Sequence, residues 1–198
     1  GGLDLSSKID MTAFVLLFPP DDINKKWIVL PRFWVPEDKV QERYETDKVP
    51  YPEWVQKGYL KTTPGNVIDY DFIEHEIISL RDRFDIQEIG YDPWNAMQTA
   101  VNLEDEGLTM VETRQGYKTM SPAMKEIEQL VMGKKLIHSG HPVLRWCVGN
   151  VQVKIDENEN VRPVKGKGTE RIDGLVAMIN AMARAMLHED TTSVYETR

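Results

Sequence analysis

Gly1-Gly2-Leu3-Asp4-Leu5-Ser6-Ser7-Lys8-Ile9-Asp10-Met11-Thr12-Ala13-Phe14 sets an acid between apolar neighbours, then a polar turn, then the start of a strongly apolar run that ends at Phe18. The pattern reads as two strands of a hairpin. A carboxylate on a strand that faces the interior costs several kcal/mol unless something pairs with it. A metal ion meeting Asp4 satisfies that requirement, and so does an edge strand that turns Asp4 to solvent. Which of the two holds depends on whether other acids of the chain can reach Asp4.

The next segment, from Lys26 to Val35, is rich in aromatic and β-branched residues and reads as a third strand. Pro19-Pro20-Asp21-Asp22 supplies the turn before it, so the first three strands form an antiparallel meander. From Pro36 to about residue 60 the composition changes to Glu, Lys and Gln. Pro36 and Pro52 each suit a first helical position, which predicts short, mobile helices beside the sheet, anchored by Tyr51 and Trp54 and able to act as a lid.

Thr63-Pro64-Gly65-Asn66 is a turn. Beyond it Asp69 or Asp71 caps a helix carrying Ile73, Ile77, Leu80 and Phe84 at helical spacing. A strand follows, ending in Asp92, and then Pro93 and a helix from Trp94 to Leu103. A strand, an acid and a helix with Pro in its first turn make a β/α junction, where side chains at the carboxyl end of a strand meet ligands. Thr109 to Thr113 is a fifth strand. Ser121-Pro122 opens a further helix stopped by Gly133. Residues 150–167 form a β-hairpin, and a closing helix starts near Arg171-Ile172-Asp173-Gly174. Its Met178, Met182 and Met186 share a face with Leu175 and Ile179, a core stripe.

Composition excludes several classes. No apolar run approaches the roughly 18 to 20 residues that span a bilayer. Cys147 is the one cysteine, so no intramolecular disulfide forms, and it reads as a small buried apolar residue. There is no Gly-rich phosphate loop of the nucleotide-binding kinds. The net charge of −8 argues against indiscriminate nucleic-acid binding, although Arg162, Lys165 and Lys167 form a local basic cluster that reads either as a DNA-binding arm beside Asp173 or as a solvated loop. Residues 189–198 have little apolar content and read as a flexible tail.

This order of elements matches a ribonuclease H-like α/β fold over residues 1–188: a mixed sheet flanked by helices, with a small helical insertion and a C-terminal β-hairpin. In that layout Asp4, Asp92 and Asp173 converge at one sheet edge. Hard carboxylate oxygens without Cys or paired His suit Mg²⁺ or Mn²⁺, and two such ions about 3.5 to 4 Å apart hydrolyse phosphodiesters. Asp10, across the first hairpin, is either a fourth ligand or a turn residue. His141, a lone His before Pro, either orients a phosphate or is structural.

Three blocks enclose those acids, Gly2 to Thr12, Ile89-Gly90-Tyr91-Asp92-Pro93-Trp94-Asn95-Ala96, and Arg171-Ile172-Asp173-Gly174-Leu175-Val176-Ala177, and a fourth, Thr63 to Asp69, lies between the first two. With His141-Pro142-Val143-Leu144-Arg145-Trp146 and Gly149-Asn150-Val151, they resemble the nuclease domain of tailed-phage terminase large subunits. The resemblance implies a metal-dependent endonuclease acting on concatemeric double-stranded viral DNA in the host cytoplasm, with Asp4, Asp92 and Asp173 as ligands of two Mg²⁺ or Mn²⁺ ions. It also implies an amino-terminal ATPase domain in the same polypeptide, and the portal and small terminase subunit as partners. The rival readings are another nuclease or recombinase of the same fold, an ATP-binding member of it, and a module that grips DNA without cutting it.

Overall fold

The computed structural model describes residues 1–5, 9–166 and 168–188. Lys167, the 6–8 turn and the expected tail at 189–198 lie outside the described residues. The meander is present as β1 (Gly2–Asp4), β2 (Thr12–Phe18) and β3 (Trp27–Pro36), antiparallel neighbours in that order. On the other side of β1, the strands β5 (Ile89–Tyr91) and β6 (Met110–Glu112) run parallel to it. The far edge carries β4 (Lys61–Thr63), parallel to β3, so the sheet order is β4-β3-β2-β1-β5-β6. A two-residue strand, β7 (Leu136–Ile137), also pairs with β3.

The apolar run of β2 is explained by burial on both faces, as in sheets covered on both sides. Ala13 and Val15 enter one core with Trp27, Phe33, Val143 and Ile179. Their alternating neighbours Phe14 and Leu16 enter a second core with Trp34, Ile73, Ile77 and Leu103. The second core is roofed by α3 (Tyr70–Arg81) and α4 (Pro93–Asp105), the first by α5 (Tyr117–Met132), α6 (Pro142–Gly149) and α7 (Asp173–Ala185). Asp69, not Asp71, caps α3, its side chain accepting from the Phe72 amide at 3.2 Å.

α7 is buried all round from Asp173 to Met182, not on one face only. It lies so close to the sheet that a Cβ on Gly2 would overlap the Ala177 carbonyl oxygen and the Ala181 nitrogen, and one on Gly90 would stand 2.7 Å from the Asn180 carbonyl oxygen. Asn180 Nδ2 donates to the Leu3 carbonyl at 3.0 Å, tying the helix to β1.

The insertion holds α1 (Lys39–Asp47) and α2 (Tyr51–Gln56). Pro36 does not open a helix: it is the last residue of β3 and pairs with Thr63. Pro52 does stand in the first turn of α2. Tyr51 and Trp54 are buried and stack against each other and against Trp146 of α6. The helix expected to open at Ser121-Pro122 instead begins at Tyr117 and carries Pro122 in its interior. The C-terminal hairpin is β8 (Val151–Ile155) with β9 (Val161–Lys165), a separate two-stranded sheet set on α5. Among the described residues no helix is long and apolar enough to cross a membrane.

Candidate active site

The register of the parallel strands places two of the acids. Gly2 pairs with Gly90 and Leu3 with Tyr91, so one step further along each chain Asp4 and Asp92 leave adjacent carboxyl ends side by side. Asp92 turns into α4, where its Oδ1 accepts from the Trp94 amide at 3.0 Å and caps the helix. Asp173 arrives from the opposite direction as the first residue of α7. Asp4, Asp92 and Asp173 line one cleft of about 430 Å³, together with Asp10, Trp94, Asn95, Gln115 and Lys165.

The electrostatics are those of crowded carboxylates. Burial, and then the Asp173 charge, push the Asp4 carboxyl well above its ordinary range, against the pull of Lys165 and of a hydrogen bond from Gln115 Nε2 at 3.3 Å. Burial raises Asp173 to about 6, with Lys165 opposing and Asp10 adding. The Oδ2 of Asp173 is buried and has no hydrogen-bond partner among the described residues. A buried carboxylate oxygen without a partner is costly, and a cation is the group that would satisfy it. Among the described residues no three acid, imidazole or thiol side chains stand close enough to enclose one ion, so the acids share a cleft without forming a closed cage.

Asp10 reaches the same cleft, but its Oδ1 is already engaged. It accepts from Arg171 Nε, from the Met11 amide at 2.9 Å and from Arg43 Nη2 at 3.5 Å. Arg171 is itself buried, and its Nη1 donates to the carbonyls of Gly168 and Glu170. The pair therefore clamps the approach to α7 just ahead of Asp173.

The basic cluster divides. Strand alternation sends Arg162 and Lys165 to opposite faces of β9. Lys165 faces the acids, whereas the Arg162 guanidinium lies over the Tyr117 ring, 5.3 Å from its centroid. His141 caps α6, accepting from the Leu144 amide at a long 3.5 Å, and its ring packs against Phe33 and Tyr59. Burial and nearby Arg32 lower it to about 4, so it is neutral at pH 7. Cys147 is buried, and burial pushes its thiol up, as suits an inert core residue.

Gln115 and Trp94 were not singled out by sequence. Gln115 sits in the loop after β6 and carries no motif. Trp94 read as one more apolar residue of a helix, yet it is 89% exposed at the cleft mouth.

A family model described as "Terminase large subunit, endonuclease domain" matches residues 1–189. The chain is 39% identical over 186 residues to the terminase large subunit of Enterobacteria phage HK97, which covers 93% of this chain and 36% of that protein. It is 38% identical over 202 residues to protein YmfN of Escherichia coli strain K12, covering 96% and 44%. The chain thus spans well under half the length of these relatives. The crystal structure of the HK97 large terminase superposes with a TM-score of 0.84 at 39% identity, over 92% of this chain and 38% of that one. The large terminase nuclease of thermophilic phage G20c, solved with bound magnesium, superposes with a TM-score of 0.58 at 8% identity, over 92% and 79%, a likeness of fold.

Proposed function

Because the chain belongs to the endonuclease-domain family of terminase large subunits, we propose that it hydrolyses phosphodiester bonds of double-stranded DNA at divalent ions held by Asp4, Asp92 and Asp173. The observation that carries this reading is the arrival of three carboxylates in one cleft from three separate elements, one of them with a buried oxygen that no described residue satisfies. The donor set is all oxygen, which fits Mg²⁺ or Mn²⁺ better than softer metals. The magnesium-bound phage G20c relative supports the same metal class. Two ions bound there would activate water and stabilise the leaving oxygen of an in-line displacement.

The chain's own residues prepare that chemistry. Gln115 fixes the rotation of the Asp4 carboxylate through its hydrogen bond. The Trp94 amide does the same for Asp92, and the Arg171–Asp10 clamp sets where α7 begins and hence where Asp173 points. Lys165 holds positive potential over the acids, favouring their ionised forms and offering a cation to an incoming phosphate. Asp10 serves in this account as the anchor of Arg171.

The HK97 relative extends the proposal to the whole polypeptide. The domain would cut concatemeric viral DNA in the host cytoplasm during packaging, beside an amino-terminal ATPase domain, with the portal and small subunit as partners. The test is a time course on supercoiled plasmid. Nicked and linear products should form with Mg²⁺ or Mn²⁺, vanish in excess chelator, and be lost in Asp92→Ala. Cutting that persists in chelator contradicts the metal centre, and binding without any cutting leaves a module that only grips DNA.

A further inference from the structure

Trp94 is a residue the metal chemistry does not use. It stands in the first turn of α4, two residues after Asp92, and lines the same cleft as the three acids, with 89% of its surface open to solvent. Water-exposed indole forfeits the burial that aromatic side chains ordinarily gain, so such a ring on a stable helix marks a contact to be made. Its setting says with what. Within the cleft the groups beside it are carboxylates, the Asn95 and Gln115 amides and the Lys165 ammonium, while exposed Met97 and Val101 continue its apolar face along α4 outside the cleft. The backbone of Trp94 is held in place: its amide donates to Asp92 Oδ1 at 3.0 Å, which fixes the point at which the side chain leaves the helix relative to a proposed metal ligand.

We infer that Trp94 is a positioning residue for DNA, its indole packing against the sugar and base of the nucleotide next to the scissile phosphate. This rests on the proposed function of the cleft. Stacking of this kind tolerates any sequence, since every base offers a flat face, and it carries a substantial part of single-strand and distorted-duplex binding. Lys165, and the cations that the carboxylates would hold, fix the phosphate, and the ring fixes the nucleoside that precedes or follows it. The strand then cannot slide along the cleft while it is cut.

The chain's emission spectrum makes the test specific. Of five tryptophans, Trp27, Trp34 and Trp54 are buried and Trp146 is half-buried, so Trp94 dominates the solvent-quenchable signal. Titration with a short duplex in chelator at low salt should shield the protein from acrylamide quenching, and that change should disappear in Trp94→Phe. In cleavage assays Trp94→Ala should lower the rate about ten-fold through weaker DNA binding, Trp94→Phe should keep most of it, and Mn²⁺ binding by calorimetry should match the parent in both. Equal cleavage and equal DNA binding by Trp94→Ala and parent overturns the inference while leaving the metal centre standing, and the exposed ring then belongs to a protein contact. A parent that binds DNA and Mn²⁺ without cutting removes the reading on which the inference rests.

Discussion

Asp173 and His141 titrate in the same window with opposite effects on stability. The folded chain keeps the Asp173 proton up to about pH 6, whereas an unfolded Asp releases it near 4, so the stability contributed in acid is withdrawn as pH rises between those values. His141 works the other way: unfolded it takes up a proton near 6.5, folded only near 4, so stability is lost as pH falls through that interval. Asp173→Asn should therefore raise the stability of the metal-free protein at pH 7 by roughly 2 kcal/mol and expose a steeper loss on acidification. His141→Asn, which retains a capping side chain, should flatten that loss. Urea unfolding at pH 4, 5.5 and 7 checks both, and an Asp173→Asn protein no more stable than the parent at pH 7 would show that the carboxylate is not strained by its surroundings. At this scale the sequence was partly legible. The three blocks around Asp4, Asp92 and Asp173 pointed to acids that do line one cleft, but the engagement of Asp10 by Arg171 joins residues 161 positions apart, which no local pattern reveals. The alternation along β9 that separates Arg162 from Lys165 was latent in the strand assignment and is plain once Tyr117 is seen beneath Arg162.

Among the elements, α7 decides where the site forms. Its fully buried first ten residues lie on β1 and β5 at a distance that only Gly2 and Gly90 permit, and Asn180 pins it to Leu3. Gly2→Ala should force the helix off the sheet and cost about 3 kcal/mol or more, the upper end of overpacking penalties, because the obstructing atoms are backbone and cannot rotate away. Thermal unfolding measures it, and a Gly2→Ala protein as stable as the parent would mean that the helix is not seated so closely. Longer elements were visible in the sequence, β3 and α3 because one-sided burial imposes a repeat and β2 and α7 because burial all round makes long apolar runs. β4 and β7 were missed for the converse reason, and α6 because its eight residues make only about two turns. Two or three residues carry no period, and pairing with the edge of β3 is a property of the neighbour. For α5, the rule that Pro favours a first helical position misled, since the helix runs back past Pro122 to the turn at Gly116.

For the whole molecule, a sheet covered on both faces gathers the carboxyl ends of β1 and β5 at one edge, and the closing helix brings a third acid to the same place. A net charge of −8 disfavours DNA binding over the surface at large, and under the proposed function Lys165, Gln115 and Trp94 would receive a strand at the cleft. An anomalous difference map from a crystal soaked in Mn²⁺ would locate the metal outright. Density is expected in the cleft bounded by Asp4, Asp92 and Asp173, and none there in Asp173→Asn. Manganese bound elsewhere, with that cleft empty at saturating Mn²⁺, would contradict the proposed metal centre.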